Sequence, residues 1–359
     1  MKLIKPYIKY QDIETKFKDI FETGIFTRGK YVEQFRKDIR EYTGSNYCHL
    51  TTSATTALWL ALKILGIKAG DEVIVSDFSF PATANVVEDL GAIPVFADVS
   101  RETYNMLPCE LKRRINEKTK AVIFVDALGN PSGVTEIQQI CTQYGIPLIE
   151  DAACAIGSHE FGITCGNIAD ITCFSFHPRK LISTGEGGAI TTKCGHLYKK
   201  METKLSHGAN GFDGPGMNFV TFGYNFRMSE LQAVMGSSQI LKIDDITKGR
   251  NTVRDEFVVG LSPLGFVNQA VSSDAFHNIQ SLVFTVPDGV NRNGLIQALK
   301  EKNIESTLGT YSMSAIAYYK KKYNDVQTNG EYLFNNTITL PCYDGVDINQ
   351  VVTAIRDCI

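Results

Sequence analysis

Two carboxylates, Glu150 and Asp151, close the short apolar run Pro147-Leu148-Ile149. One lysine, Lys180, follows a second apolar run, Ile171 to Phe176, just ahead of Gly185-Glu186-Gly187-Gly188. An acid at one strand end, a lysine just past another and a mobile glycine loop suit a pyridine aldehyde. The carboxylate pairs with the ring nitrogen and the lysine forms a Schiff base with the aldehyde carbon. Taken alone, a lysine is an ordinary solvated surface charge. Set between Phe174-Ser175-Phe176 and the glycines, Lys180 reads as chemistry instead.

Positioning these groups calls for a rigid scaffold. From Asp71 onward, the apolar runs Val73–Val75, Pro94–Ala97, Ala121–Val125 and Pro147–Ile149 alternate with helical stretches such as Ala82–Leu90 and Val134–Tyr144. Short buried runs between helices predict a mostly parallel sheet covered on both faces, with ligands at the carboxyl ends of its strands. Asp151 falls at such an end, as does Phe80 in Ser79-Phe80-Pro81. Phe80 reads either as core packing or as a π-face for a ring to stack on. At Thr52-Ser53-Ala54-Thr55 the small hydroxyl residues serve equally as helix N-caps or, through free N–H groups and the helix dipole, as a phosphate cradle. Helices are expected over Asp12–Phe21, Tyr31–Tyr42, Ala57–Leu65, Ile243–Leu261 and Arg292–Lys302, and from about Ser229. Residues 205–222, rich in Gly, Asn and Asp, read as a long loop.

With 359 residues the length predicts about two domains. Composition (43% hydrophobic, 21% charged) is that of a globular protein, and a net charge of −3 leaves no basic footprint for nucleic acid. No apolar stretch reaches membrane-spanning length, and lysines and acids interrupt the N-terminal sequence before a signal core could form. Nine cysteines, an odd number without CxxC spacing, point to reduced thiols rather than disulfides or a metal site, so a cytoplasmic location is expected.

Asp151-Ala152-Ala153, Ser175-Phe176-x-x-x-Lys180, Gly185-Glu186-Gly187-Gly188 and Gly223-x-Asn225-x-Arg227-Met228 together resemble the DegT/StrS-type pyridoxal-phosphate (PLP) sugar aminotransferases, across nearly the whole chain. The resemblance implies an α/β fold of PLP transferase fold type I. Its large domain (residues 1–240) holds a mostly parallel seven-stranded sheet between helices, and a smaller α+β domain (241–359) follows. The N-terminal stretch, about 20 residues, is expected to pack on the small domain. Lys180 and Asp151 become the catalytic pair. Ser53, Ala54, Thr55, Phe80, Asp151, Cys154, Ser175, Lys180 and, across a homodimer interface, Asn225 become cofactor contacts. Thr27, Gly29, Glu186 and Tyr311 become substrate candidates, Tyr311 with core packing as its alternative and Glu186 with ordering of the glycine loop as its own. The implied reaction moves an amino group, from L-glutamate, to a keto carbon of a nucleotide-linked (deoxy)sugar, with pyridoxamine 5'-phosphate as the intermediate carrier. A keto-cyclitol or free keto-sugar acid as acceptor, and a PLP-binding regulator without turnover, are the competing readings. Three positions depart from the family pattern. Ala54 stands for a glycine, Cys154 for Gln, His or Glu, and Tyr311-Ser312-Met313-Ser314 lacks the Pro-x-His of relatives.

Overall fold

A computed structural model describes residues 1–359. Seven strands make the central sheet: β1 (Tyr47–Thr51), β2 (Glu72–Ser76), β3 (Ile93–Ala97), β4 (Thr119–Val125), β5 (Leu148–Asp151), β6 (Ile171–Ser175) and β7 (Gly188–Thr192). Their spatial order is β1-β7-β6-β5-β4-β2-β3. The five from β6 to β3 run parallel, whereas β7 is antiparallel to both its neighbours. Ile74, Val75, Val122, Ile123, Leu148 and Ile149 are fully buried, so these strands carry no polar alternation; helices cover both faces. One face packs Ala57, Leu58 and Ala61 of helix Ala54–Leu65, and the other packs Val134, Ile137 and Ile140 of helix Val134–Tyr144.

The first of these helices begins three residues earlier than the apolar pattern predicts. Ser53 accepts from Thr56 N–H and the Thr56 hydroxyl bonds back to Ser53 N–H, a reciprocal cap that fixes the start at Ala54. Two strands of the sheet escaped the apolar-run reading. Tyr47–Thr51 is half polar, and Gly188–Thr192 opens on a glycine. The expected loop at 205–222 is a hairpin instead, pairing Ala209–Asp213 with Gly216–Phe219 across Gly214 at φ +58°.

Residues 253–355 close around a separate core that includes Phe257, Leu282, Phe284, Leu299, Ile338 and Ile355. Its four short antiparallel strands lie in the order Val267–Asn268, Leu282–Thr285, Thr337–Leu340, Thr307–Leu308. The long helix Ile243–Leu261 connects the two cores: Ile243 and Ile246 belong to the large one, Val253 and Phe257 to the small. Two carboxylates at adjacent strand ends hold the parts together. Asp77, after β2, accepts from Ser312 Oγ (2.6 Å) and Ser314 N–H (2.7 Å), and Asp98, after β3, accepts from the N–H groups of Asn329 and Gly330. Burial pushes the Asp77 carboxyl up to about 6 despite these donors. Only the start of the N-terminal stretch lies against the small core, where Leu3 N–H and Lys2 Nζ both reach Glu305. Ile13 and Ile20 pack instead with Val234 of helix Glu230–Ile240, so the expected packing of about 20 residues on the small domain does not hold beyond the first few.

Candidate active site

A cavity of about 570 Å³ opens at the carboxyl ends of β4, β5 and β6 and is roofed by the small core and by Leu3 and Ile4 of the N-terminal segment. Asp151, the last residue of β5, projects into it. Its Oδ2 accepts from Thr83 Oγ at 2.7 Å and its Oδ1 from Ala153 N–H at 3.3 Å. Burial pushes this carboxyl up, and the Thr83 hydroxyl and the nearby Lys180 charge pull it only part of the way back. A buried carboxylate with acceptor capacity facing a cavity calls for a cationic donor, and a protonated pyridine nitrogen is one.

Ser53, Ala54 and Thr55 line the opposite wall at the N-terminus of their helix. The first helical N–H groups have no carbonyl a turn earlier, so they remain available to an anion. Ala54 is a helical residue with negative φ, so replacing the family's glycine there has no backbone cost. Close contact brings this corner to the sheet. A Cβ on Gly188 would lie 2.5 Å from the Ser53 carbonyl carbon, and one on Gly187 would lie 2.3 Å from Thr184 Oγ. Gly187 and Gly188 are thus close-approach positions, whereas Gly185, at φ +82° with open space around it, makes the turn before them.

Phe80 stands at the cavity with 64% of its surface exposed, edge-on to Tyr311 at 6.2 Å. Lys180 follows a turn closed by its own N–H to the His177 carbonyl (2.8 Å), and its Nζ donates to Cys154 Sγ at 3.0 Å. Cys154, Ser175, Glu186 and His177 also line the cavity; Ser175 accepts from His177 N–H.

Four of the residues singled out from sequence do not line the cavity. Gly29 N–H donates to Glu230 Oε1 (2.8 Å), and a Cβ there would meet Glu230 Oε2 at 2.7 Å. Thr27 bridges to Ser229 beside it, so in this chain the Thr-x-Gly loop is clamped to Glu230. Asn225 lies exposed in the segment after the hairpin. Tyr311 packs between Phe80 and Phe334, one layer behind the wall.

Several contributors were not anticipated. Thr83 sits one turn beyond Ser79 and gives Asp151 its hydroxyl partner; the Ser79-x-x-x-Thr83 spacing was the only signal. Gln280 and Asn278 reach across from the small core to Arg179 O, Leu181 N–H and Cys154 O, which no local pattern discloses. Next to Asp151, Asp126 (itself a residue of the cavity lining) and Glu150 are fully buried together with Cys165. Glu150 Oε2 accepts from Thr172 Oγ (2.6 Å) and Gly166 N–H, whereas Glu150 Oε1 and both Asp126 oxygens have no donor. Burial and the neighbouring carboxylates push Asp126 well above the usual carboxylate range, and burial pushes Glu150 up as well.

Residues 8–356 match the model of the DegT/DnrJ/EryC1/StrS aminotransferase family. The chain belongs to that family. This aminotransferase is 31% identical to the spore coat polysaccharide biosynthesis protein SpsC of Bacillus subtilis (strain 168), over 99% of the chain and 96% of SpsC. It is also 31% identical to a GDP-perosamine synthase of Vibrio cholerae, covering 95% of the chain and 93% of that protein. Among solved structures, the putative sugar aminotransferase Spr1654 of Streptococcus pneumoniae in its PLP form superposes with TM-score 0.90 at 26% identity, covering 100% and 99% of the two chains. PseC of Helicobacter pylori shares the fold, with TM-score 0.94 at 24% identity over 99% and 98%. The chain is therefore an enzyme of the PLP-dependent sugar aminotransferase class, on the expected α/β fold. No helix is long and apolar enough to cross a membrane.

Proposed function

We propose that this aminotransferase takes an amino group from L-glutamate and places it on a keto carbon of a nucleotide-linked (deoxy)sugar. One observation carries the reading: a buried carboxylate, a helix N-terminus, an exposed aromatic face and a lysine amine converge on one cavity of about 570 Å³. That set matches PLP group by group, and the family supports it. When bound, the cofactor supplies the electron sink for the carbon that gains or loses the amine. Asp151 holds a proton on the ring nitrogen, with Thr83 fixing its orientation. The N–H groups of Ala54 and Thr55, with the Ser53 and Ser175 hydroxyls, bind the phosphate. Phe80 covers the ring face and excludes water. Lys180 would hold the cofactor through its amine and, when that amine is free, would serve as the base that carries the proton to or from the substrate carbon. Glu186, exposed at the rim beside His177, is the residue we assign to contact with the acceptor.

The reading extends to assembly and domains. Phe212, Phe219, Val220 and Phe222 are exposed on and after the hairpin, an apolar surface that suits a second copy of the chain. In such a homodimer Asn225 reaches the partner's phosphate site, and Thr27 and Gly29 border the partner's sugar. The large domain spans 1–240 and the small one 241–359.

Absorbance of PLP-reconstituted protein before and after L-glutamate, with Lys180→Ala alongside, tests the chemistry. Glutamate is expected to bleach the near-visible band in wild type only, and a matching keto-sugar nucleotide to restore it. A band that glutamate leaves unchanged refutes the donor, and failure to hold PLP refutes the site.

A further inference from the structure

The contact between Lys180 Nζ and Cys154 Sγ, at 3.0 Å, brings an amine and an oxidisable sulfur together at the floor of the cavity. Both backbones are fixed by the small core. Asn278 Nδ2 donates to the Cys154 carbonyl (2.8 Å), and Gln280 bonds both Arg179 O (2.7 Å) and Leu181 N–H (2.5 Å), on either side of Lys180. The two side chains therefore meet through a built arrangement. Both face a cavity open to small solutes. By contrast Cys165 and Cys173 are fully buried, with burial pushing them well above the ordinary thiol range.

We propose that Cys154 and Lys180 form an oxidative modification site, in which peroxide converts the pair to a covalent sulfur–nitrogen cross-link. In the first step the Cys154 sulfur attacks one peroxide oxygen. The O–O bond breaks, one water leaves and Cys154 becomes a sulfenic acid, oxidised by two electrons while the peroxide is reduced. In the second, the lone pair of neutral Lys180 Nζ attacks that sulfur. The S–O bond breaks, and the departing hydroxide leaves as a second water with a proton from the nitrogen. The balance is one peroxide consumed, two waters released, one S–N bond formed and two hydrogens lost from the protein. A thiol reductant reverses it by attacking the sulfur: the amine leaves with a proton, and a second thiol frees Cys154 from the mixed disulfide. Because the cross-link uses the amine of Lys180, it competes with cofactor attachment. That competition alone rests on the function proposed above.

The test uses full-length protein freed of PLP, treated with hydrogen peroxide and examined by intact mass and peptide mapping. The expected result is a mass lower by two hydrogens, with the Cys154 and Lys180 peptides joined, and reversal by dithiothreitol. Lys180→Ala should instead stop at a sulfenic acid that dimedone captures at Cys154, and Cys154→Ser should show neither product. Circular dichroism of both variants checks that they are folded. Dimedone capture at Cys154 in wild type at the same yield as in Lys180→Ala, with no joined peptides, overturns the proposal. PLP loaded beforehand should suppress the cross-link at least tenfold. If the cross-link forms but PLP does not suppress it, the modification site stands and the assignment of Lys180 to the cofactor fails.

Discussion

Replacing Asp126 by asparagine should stabilise the protein near neutral pH, although it removes a fully buried acid from the centre of the sheet. Asp126 and Glu150 together have three oxygens without donors. A single proton on one Asp126 oxygen, given to Glu150 Oε1, accounts for two of them and leaves the other Asp126 oxygen without a donor. The folded protein holds that proton well above the ordinary value of 3.8, because of burial first and the neighbouring Glu150 and Asp151 charges next. With the folded value above the unfolded one, the stability contribution is complete below the unfolded value. It is lost as pH rises towards the folded one, at about 1.4 kcal/mol per pH unit. Asparagine donates an N–H to the same oxygen and has nothing to titrate. Asp126→Asn should therefore be within about 1 kcal/mol of wild type near pH 4 and gain about 1.4 kcal/mol on it with each further unit up to the folded value. Asp126→Leu leaves Glu150 Oε1 with no donor and should cost about 1–3 kcal/mol against the asparagine variant. Urea unfolding of the three PLP-free proteins across pH, at one protein concentration, measures all of this. Parallel pH profiles for wild type and Asp126→Asn would refute the shared proton.

Ser53→Ala removes the reciprocal helix cap and should cost about 1 kcal/mol in urea unfolding while raising the PLP dissociation constant; unchanged PLP affinity would separate the cap from the phosphate site. Glu230 accepts the N–H groups of Gly29, Tyr31 and Val32, so Glu230→Ala should cost about 3 kcal/mol and Glu230→Gln, which keeps one acceptor, about half that. Equal losses in the two unfolding curves would show that the one acceptor glutamine keeps contributes nothing, and would refute this division of the hydrogen bonding. A Cβ on Gly236 would lie 2.2 Å from Phe35 Cζ, so Gly236→Ala should cost about 1–3 kcal/mol, and adding Phe35→Leu should recover part of it. Additive losses in the melting of the double variant would refute the steric account.

The buried β-branched runs of β2, β4 and β5 could be read directly, because strands covered on both faces are apolar throughout, and the helices between them followed from their spacing. β7 could not. Gly188 looks like loop punctuation until the Ser53 backbone is packed against it, and that proximity is not encoded locally. The same limit applied to the site. Asp151, Lys180, Phe80 and Ser53 stood out by chemical type at strand and helix ends. Thr83, Gln280 and Asn278, the residues that orient or brace them, are ordinary polar residues whose roles exist only once distant segments meet. Thr27 and Gly29 were legible as a loop, but the carboxylate that holds that loop, Glu230, lies some 200 residues later and no local pattern discloses it.

The strand order also sets a timetable for synthesis. As the chain leaves the ribosome, β1 has no partner until β7 has emerged, and helix Lys30–Thr43 lacks the carboxylate that caps it until Glu230 has followed. β2 to β6 can pair meanwhile, since each finds its neighbour among strands already made or next to appear. A nascent chain halted after β6 would present five parallel strands with an open edge at Ile171–Ser175, beside an unpaired Tyr47–Thr51. Closure of that edge by β7, which delivers Gly188 against Ser53, is the event that both completes the sheet and forms the anion-binding corner.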